Sequence, residues 1–121
     1  MVYANDISPA SHKLMRDNFD LNELDEAKLK MTMEDANLLL QNEKKNVVFD
    51  IIDLDPYGSV VPFLDAAVES IRDGGMMCVT CTDTKVTCGP DISKCYYYYG
   101  TTRARVQHFN EVFLFQYYRM P

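Results

Sequence analysis

No other stretch narrows the fold as sharply as Val47-Val48-Phe49-Asp50-Ile51-Ile52-Asp53. A nearly continuous β-branched and aromatic run of this kind predicts a strand covered on both faces, as in a parallel sheet flanked by helices. The spacing then turns helical. Ser59 is placed to cap a helix whose apolar positions are Val60, Phe63, Leu64, Ala67, Val68 and Ile71, with Pro62 in the tolerated first turn and Gly74-Gly75 ending it. Met76 to Thr82 reads as the next strand.

The same alternation holds upstream. Val2 to Ala4 is a short apolar strand, and Ser8-Pro9 supplies an N-cap and a first-turn proline for a helix with Ala10, Leu14 and Phe19 on its apolar face. Leu29, Met31 and Met33 alternate with Lys30 and Thr32 as an edge strand would, and a short helix through Ala36 to Leu40 follows. Residues 83–100 read as a loop, and residues 101–118 as a helix whose end, Val112 to Tyr118, also fits a strand. Strands and helices in turn, with short joints, predict an α/β fold with a mainly parallel sheet.

At 121 residues the chain reads as one domain. That length buries roughly two thirds of the unfolded surface, so a core forms without disulfides or a structural metal. No apolar run approaches the roughly 20 residues that span a bilayer. The start, Met1 to Asp6, lacks a basic-then-apolar leader, and the expectation is an intracellular protein, whether of nucleus, cytoplasm or mitochondrion.

Net charge is −6, which argues against a protein that coats nucleic acid indiscriminately. The charge is uneven. Residues 1–83 hold 7 Lys/Arg against 16 Asp/Glu, a net of −9, whereas residues 84–121 hold 5 against 2, a net of +3. A polyanion would meet the C-terminal third. Of the cysteines, Cys78 and Cys81 have the spacing of half a zinc site, but strand alternation sends their thiols to opposite faces. Cys78, Cys81, Cys88 and Cys95 are read as small apolar fillers, with no metal site.

In such sheets ligands bind beyond the carboxyl ends of the strands. Each predicted strand exits into a carboxylate: Asn5-Asp6, Glu34-Asp35-Ala36, Asp53-Leu54-Asp55-Pro56-Tyr57-Gly58 and Thr82-Asp83. Asp6 suits a two-point grip on the ribose diol of a nucleotide-like cofactor, and a helix-capping role fits it equally. Asp35 with small Ala36 can accept an adenine amino group while a backbone N–H meets a ring nitrogen; capping the following helix is the competing role.

The third exit carries the chemistry. An exocyclic amino group on a nucleobase is a poor nucleophile because its lone pair is delocalised, and it needs acceptors for both N–H bonds. The Asp55 carboxylate and the Pro56 carbonyl supply them, and Tyr57 can stack on the base. An Asp-Pro turn with Gly58 for a tight bend is the plainer alternative. The run Tyr96 to Tyr99, near Arg103, Arg105 and His108, is either an aromatic and cationic RNA surface or packing around a loop. His12 and His108 stand alone and are read as structural or solvated.

Val2 to Ser8, Glu34-Asp35-Ala36, Phe49 to Ser59, Pro62-Phe63-Leu64-Asp65 and Gly74 to Asp83 together resemble the tRNA (guanine-N2)-dimethyltransferases, in the family's order from residue 2 to about residue 100. The resemblance implies a Rossmann-like fold that uses S-adenosyl-L-methionine to methylate the N2 amino group of guanine 26 in tRNA. It implies cofactor binding by Asp6, Asp35 and Ala36 and catalysis by Asp55, Pro56 and Tyr57.

One departure is large. A glycine-rich turn ordinarily precedes the ribose-binding acid by about 20 residues, yet only five residues precede Asp6. The expectation is therefore a catalytic-domain fragment without the first strand and glycine turn. Alone it is expected to bind cofactor weakly and to be inactive. Its central strand would keep an unpaired edge open to a homo-oligomeric or swapped partner. Competing assignments are a non-catalytic methyltransferase-like partner, a nicotinamide oxidoreductase, and an N-methyltransferase acting on another nucleobase or amino group.

Overall fold

The computed structural model describes residues 1–87, 89–100 and 102. The chain divides into two compact units, Met1–Val48 and Phe49–Pro121. The predicted α/β class and parallel pairing both appear. The strands form two separate two-stranded sheets, each a strand, a crossover helix and a parallel strand.

In the first unit β1 (Val2–Asn5) pairs with β2 (Leu29–Thr32), from Val2 opposite Leu29 to Asn5 opposite Thr32. Helix α1 (Pro9–Leu21) starts as expected, with the Ser8 hydroxyl accepting the Ser11 N–H at 3.4 Å. Its apolar face is narrower than the spacing suggested. Phe19 is buried with the Arg16 guanidinium 5.3 Å from its ring centre, whereas Ala10 and Leu14 are exposed. A one-turn 3-10 helix (Glu26–Lys28), capped by Asp25, leads into β2. Helix α2 (Ala36–Glu43) buries Leu39 and Leu40, each contributing about 2 kcal/mol.

In the second unit β3 (Phe49–Leu54) pairs with β4 (Ile71–Val79). Among the described residues the expected cover on both faces is not found. Ile52 and Leu54 are buried while Ile51 and Val48 are exposed, because this two-stranded sheet packs α3 (Val61–Ser70) on one face. Two boundaries also shift. Val60, not Ser59, is the N-cap of α3, although the Ser59 hydroxyl still accepts the Val61 N–H at 3.3 Å. Val68 is exposed, and Ala66 and Ser70 take its place among the buried residues.

Gly74-Gly75 lies inside β4 rather than ending the helix. Phe49 faces Ile71 but Ile51 faces Met76, so β4 advances five residues while β3 advances two. At this bulge a Cβ on Gly75 would sit 3.0 Å from the Asp50 carbonyl oxygen and 2.9 Å from that of Arg72. Only glycine lets the two backbones approach that closely. Arg72 Nε bridges to Asp50 Oδ1 at 3.0 Å across the same irregularity.

The predicted loop over residues 83–100 contains two helices, α4 (Thr84–Thr87) and α5 (Ile92–Tyr99). Asp91 caps α5 by accepting the Ser93 and Lys94 N–H groups, and Gly100 ends it in the left-handed conformation at φ 63°. The expectations for residues 103–118 and for Cys88 lie outside the described residues. Among the described residues no helix is long and apolar enough to cross a membrane.

Candidate functional site

The carboxyl ends of β1 and β2 are joined by one side chain. Asn5 Nδ2 donates to the Glu34 carbonyl at 3.0 Å, and Asn5 Oδ1 accepts the Glu34 N–H at 3.1 Å and the Thr32 hydroxyl at 2.8 Å. The ladder extends one step further, the Asp6 N–H reaching the Thr32 carbonyl at 3.4 Å. Asp6 and the Glu34-Asp35 turn are thereby held at the same end of the β1–β2 pair.

Each acid has one committed oxygen. Asp6 Oδ1 accepts the Ser8 N–H at 2.8 Å, and Asp35 Oδ1 accepts the Asn37 and Leu38 N–H groups at 2.8 and 3.4 Å. The capping role is therefore real for Asp35, and Asp6 closes the turn that leads to the Ser8 cap. Each retains a second oxygen with no protein donor among the described residues. The early amides of α2 are equally telling. Those of Asn37, Leu38 and Leu39 all bond back to Asp35, while that of half-buried Ala36 has no partner among the described residues. An open acceptor on Asp35 beside an open donor on Ala36 matches the donor and acceptor edge of an adenine.

The second unit places Asp55-Pro56-Tyr57 on the loop leaving β3, and that loop is fastened at both ends. The Leu54 carbonyl accepts the Thr80 N–H at 2.8 Å. Gly58 donates its N–H to the Thr82 hydroxyl at 3.2 Å and accepts the Thr82 N–H at 3.0 Å. Gly58 has φ +93°, a conformation other residues rarely adopt. Between these anchors Asp55 is exposed with no protein partner among the described residues, Pro56 is half-buried, and Tyr57 is fully exposed. The carboxylate and the ring are thus left open to solvent rather than consumed by the described part of the fold.

The tyrosine run divides. Tyr96, Tyr97 and Tyr98 are exposed, Tyr97 and Tyr98 packed edge to face with ring centres 5.1 Å apart. Tyr99 is completely buried. It packs with Cys95, Val61 and Val86, and its hydroxyl oxygen lies 2.9 Å from Ser59 Oγ, 3.1 Å from Asp83 Oδ2 and 3.7 Å from Cys81 Sγ. Burial first, then the Cys81 and Asp83 neighbours, push the Tyr99 phenol well above its usual range, against the opposing bond from Ser59. Cys95 is the apolar filler expected, while Cys78 and Cys81 are half-buried thiols. Arg103, Arg105 and His108 lie outside the described residues.

Neither Asn5 nor Tyr99 was singled out by sequence reasoning. For Tyr99 a signal existed: Cys95 and Tyr99 are four apart and share a helix face, which separates Tyr99 from its exposed neighbours.

Residues 1–115 match the family described as N2,N2-dimethylguanosine tRNA methyltransferase. A tRNA (guanine(26)-N(2))-dimethyltransferase of Mus musculus is 43% identical over 114 residues, covering 93% of this chain and 17% of the relative. The mitochondrial enzyme of that name from Saccharomyces cerevisiae is 44% identical over 101 residues, covering 82% and 18%. One from Methanococcus maripaludis is 45% identical over 89 residues, covering 73% and 23%. The chain thus spans about a fifth of the length of these curated relatives. With the matched range taking in Asn5-Asp6, Asp35-Ala36 and the loop after β3, the chain belongs to the N2,N2-dimethylguanosine tRNA methyltransferase family.

Proposed function

We propose that this chain carries part of the catalytic machinery for S-adenosyl-L-methionine-dependent methyl transfer to the N2 amino group of guanine 26 in tRNA. The observation that carries the reading is the loop after β3: fixed at Leu54 and Gly58, it leaves the Asp55 carboxylate and the Tyr57 ring unpartnered and exposed between them. Relatives over 73% to 93% of the chain bear the name of that activity.

The residues after β1 and β2 suit the cofactor. The free oxygen of Asp6 can accept a ribose hydroxyl; the free oxygen of Asp35 and the open N–H of Ala36 suit an adenine edge. When bound, S-adenosyl-L-methionine supplies an electrophilic methyl group on a sulfonium. The chain's own task is to ready the amine. Asp55 accepts one N–H of the guanine amino group and holds its proton as nitrogen alkylates; the Pro56 carbonyl accepts the other N–H. Tyr57 stacks on the base, which must leave its own stack to be reached. Two methylations require both N–H bonds to be directed in turn. An anchored loop with two acceptors provides for that.

The test is methyl incorporation by the intact protein into two tRNA transcripts, one with guanine and one with inosine at position 26, which lacks the amino group. Incorporation confined to the guanine transcript supports the reading. Equal incorporation into both, or none into either, refutes it.

A further inference from the structure

Resting on that reading, we infer that Tyr99 is a positioning residue for the Asp55-Pro56-Tyr57 loop, acting through the Ser59 and Asp83 side chains that its hydroxyl joins. Ser59 follows the loop directly, and Asp83 follows Thr82, the residue that clasps Gly58. The Tyr99 hydroxyl lies 2.9 Å from the first and 3.1 Å from the second, and so ties the loop after β3 to the segment after β4.

The proton count within this cluster is constrained. An ionised carboxylate only accepts, so the single Tyr99 proton goes to Asp83. The Tyr99 oxygen then accepts from the Ser59 hydroxyl, whose own oxygen accepts the Val61 N–H at 3.3 Å. Tyr99 and Ser59 each have one donor role and one acceptor role filled in this order, and Asp83 only accepts. The chain of bonds runs from the first turn of α3 through Ser59 and Tyr99 to Asp83, whose backbone carbonyl accepts the buried Thr87 hydroxyl at 2.8 Å. Burial that keeps the phenol protonated keeps the donor in place across the physiological pH range.

The ring and the hydroxyl have separable roles. The ring fills the core with Cys95, Val61 and Val86; the hydroxyl reaches the Ser59 and Asp83 side chains. Tyr99→Phe removes the second and keeps the first. A misplacement of catalytic groups by about 1 Å can slow a reaction about 100-fold, so the loop's geometry, not its affinity for ligand, should register the loss.

The experiment measures Tyr99→Phe in the intact protein by methyl-transfer kinetics and by amide hydrogen exchange. The expected result is a kcat lowered about 10- to 100-fold, KM values for tRNA and cofactor within about twofold, and faster exchange at the Gly58 and Thr82 amides than elsewhere in the second unit. Asp83→Ala should reproduce this, and Asp83→Asn, which keeps an acceptor oxygen, should recover most of the rate. Unchanged exchange at Gly58 and Thr82, or a loss spread evenly over kcat and KM, overturns the inference. An intact protein that fails to methylate guanine defeats the functional reading instead, and the exchange comparison still decides the anchoring.

Discussion

Asn5 grips both backbone groups of Glu34, its Nδ2 on the carbonyl at 3.0 Å and its Oδ1 on the N–H at 3.1 Å. A primary amide is the smallest side chain that can mimic a strand in this way, offering a donor and an acceptor 2 to 3 Å apart. Its effect is to prolong the β1–β2 pairing by one step beyond Thr32 and to set the position from which Asp35 starts α2.

Replacing Asn5 with Ala should therefore do more to the turn than to the fold. The expected destabilisation is about 1–2 kcal/mol, three partly solvated hydrogen bonds being lost together. Cofactor affinity should fall at least about tenfold, because Asp35 and Ala36 lose their fixed starting point. Urea denaturation and calorimetric titration of the intact protein measure the two effects; affinity unchanged at the lower stability would separate the turn from the ligand.

Gly75→Ala tests the bulge. The added methyl would meet Ile71 Cγ1 at 2.7 Å and the carbonyl oxygens of Arg72 and Asp50 at 2.9 and 3.0 Å. The isoleucine tip can turn aside, but the two backbone oxygens cannot move without opening the β3–β4 pairing. A loss of about 2–3 kcal/mol is expected, read as a lowered urea midpoint. Wild-type stability would mean that the two strands do not approach this closely in solution.

How much of this was legible beforehand depended on whether the controlling interaction was local. The Ser8-Pro9 start of α1 and the Asp35 cap of α2 are set by neighbours within three residues, and both were readable. The Asp55-Pro56-Tyr57 loop was placed correctly at a strand exit because the switch from period two to helical spacing brackets it. Where the deciding partner was remote, the reading failed. Ile51 is as apolar as Ile52, and only the packing of α3 on one face decides which is buried. Gly74-Gly75 has the composition of a helix end, but the approach of Asp50 makes it a bulge. For α5, Asp91 and Gly100 were adequate start and stop signals that four successive tyrosines obscured. The Tyr99 to Ser59 contact spans 40 residues and leaves no mark in local spacing.

A pH prediction follows from Tyr3, Lys30 and Glu43. Lys30 Nζ donates to Glu43 Oε1 at 2.5 Å, and Tyr3 Oη donates to Oε2 at 3.0 Å. The Lys30 bond, then that of Tyr3, hold the Glu43 carboxyl below its ordinary 4.5. The bond to Glu43 raises Lys30 above 10.5, and burial, then the Glu43 bond, raises Tyr3 above 10.0. A lowered acid stabilises the fold above its unfolded pKa and loses that contribution as pH falls through the folded value. Raised groups do the reverse: their contribution is complete below the unfolded pKa and is lost as pH rises through the folded one. The first unit should be most resistant to urea between these limits and weaken on both sides. Glu43→Gln should flatten both shoulders; a profile unchanged by that substitution would show that the cluster makes no contribution.

The sharpest prediction concerns Asp55, whose carboxylate is exposed and has no protein partner among the described residues. Because no described residue bonds to it, Asp55→Ala should leave the unfolding midpoint unchanged within about 0.5 kcal/mol. Cofactor affinity should likewise stay within about twofold, since the contacts proposed for the cofactor belong to Asp6, Asp35 and Ala36. The rate of methyl transfer to guanine should fall by about 10² to 10⁴, the ordinary contribution of a positioned proton acceptor. Asp55→Asn separates two roles of the carboxylate, because an amide oxygen still accepts the N–H bond but cannot take the proton. If orientation alone matters, the Asn variant retains most of the rate; if proton uptake is needed, it is as slow as the Ala variant. Single-turnover measurement with cofactor and tRNA in excess of KM distinguishes the cases, and full turnover by the Ala variant removes Asp55 from the reaction.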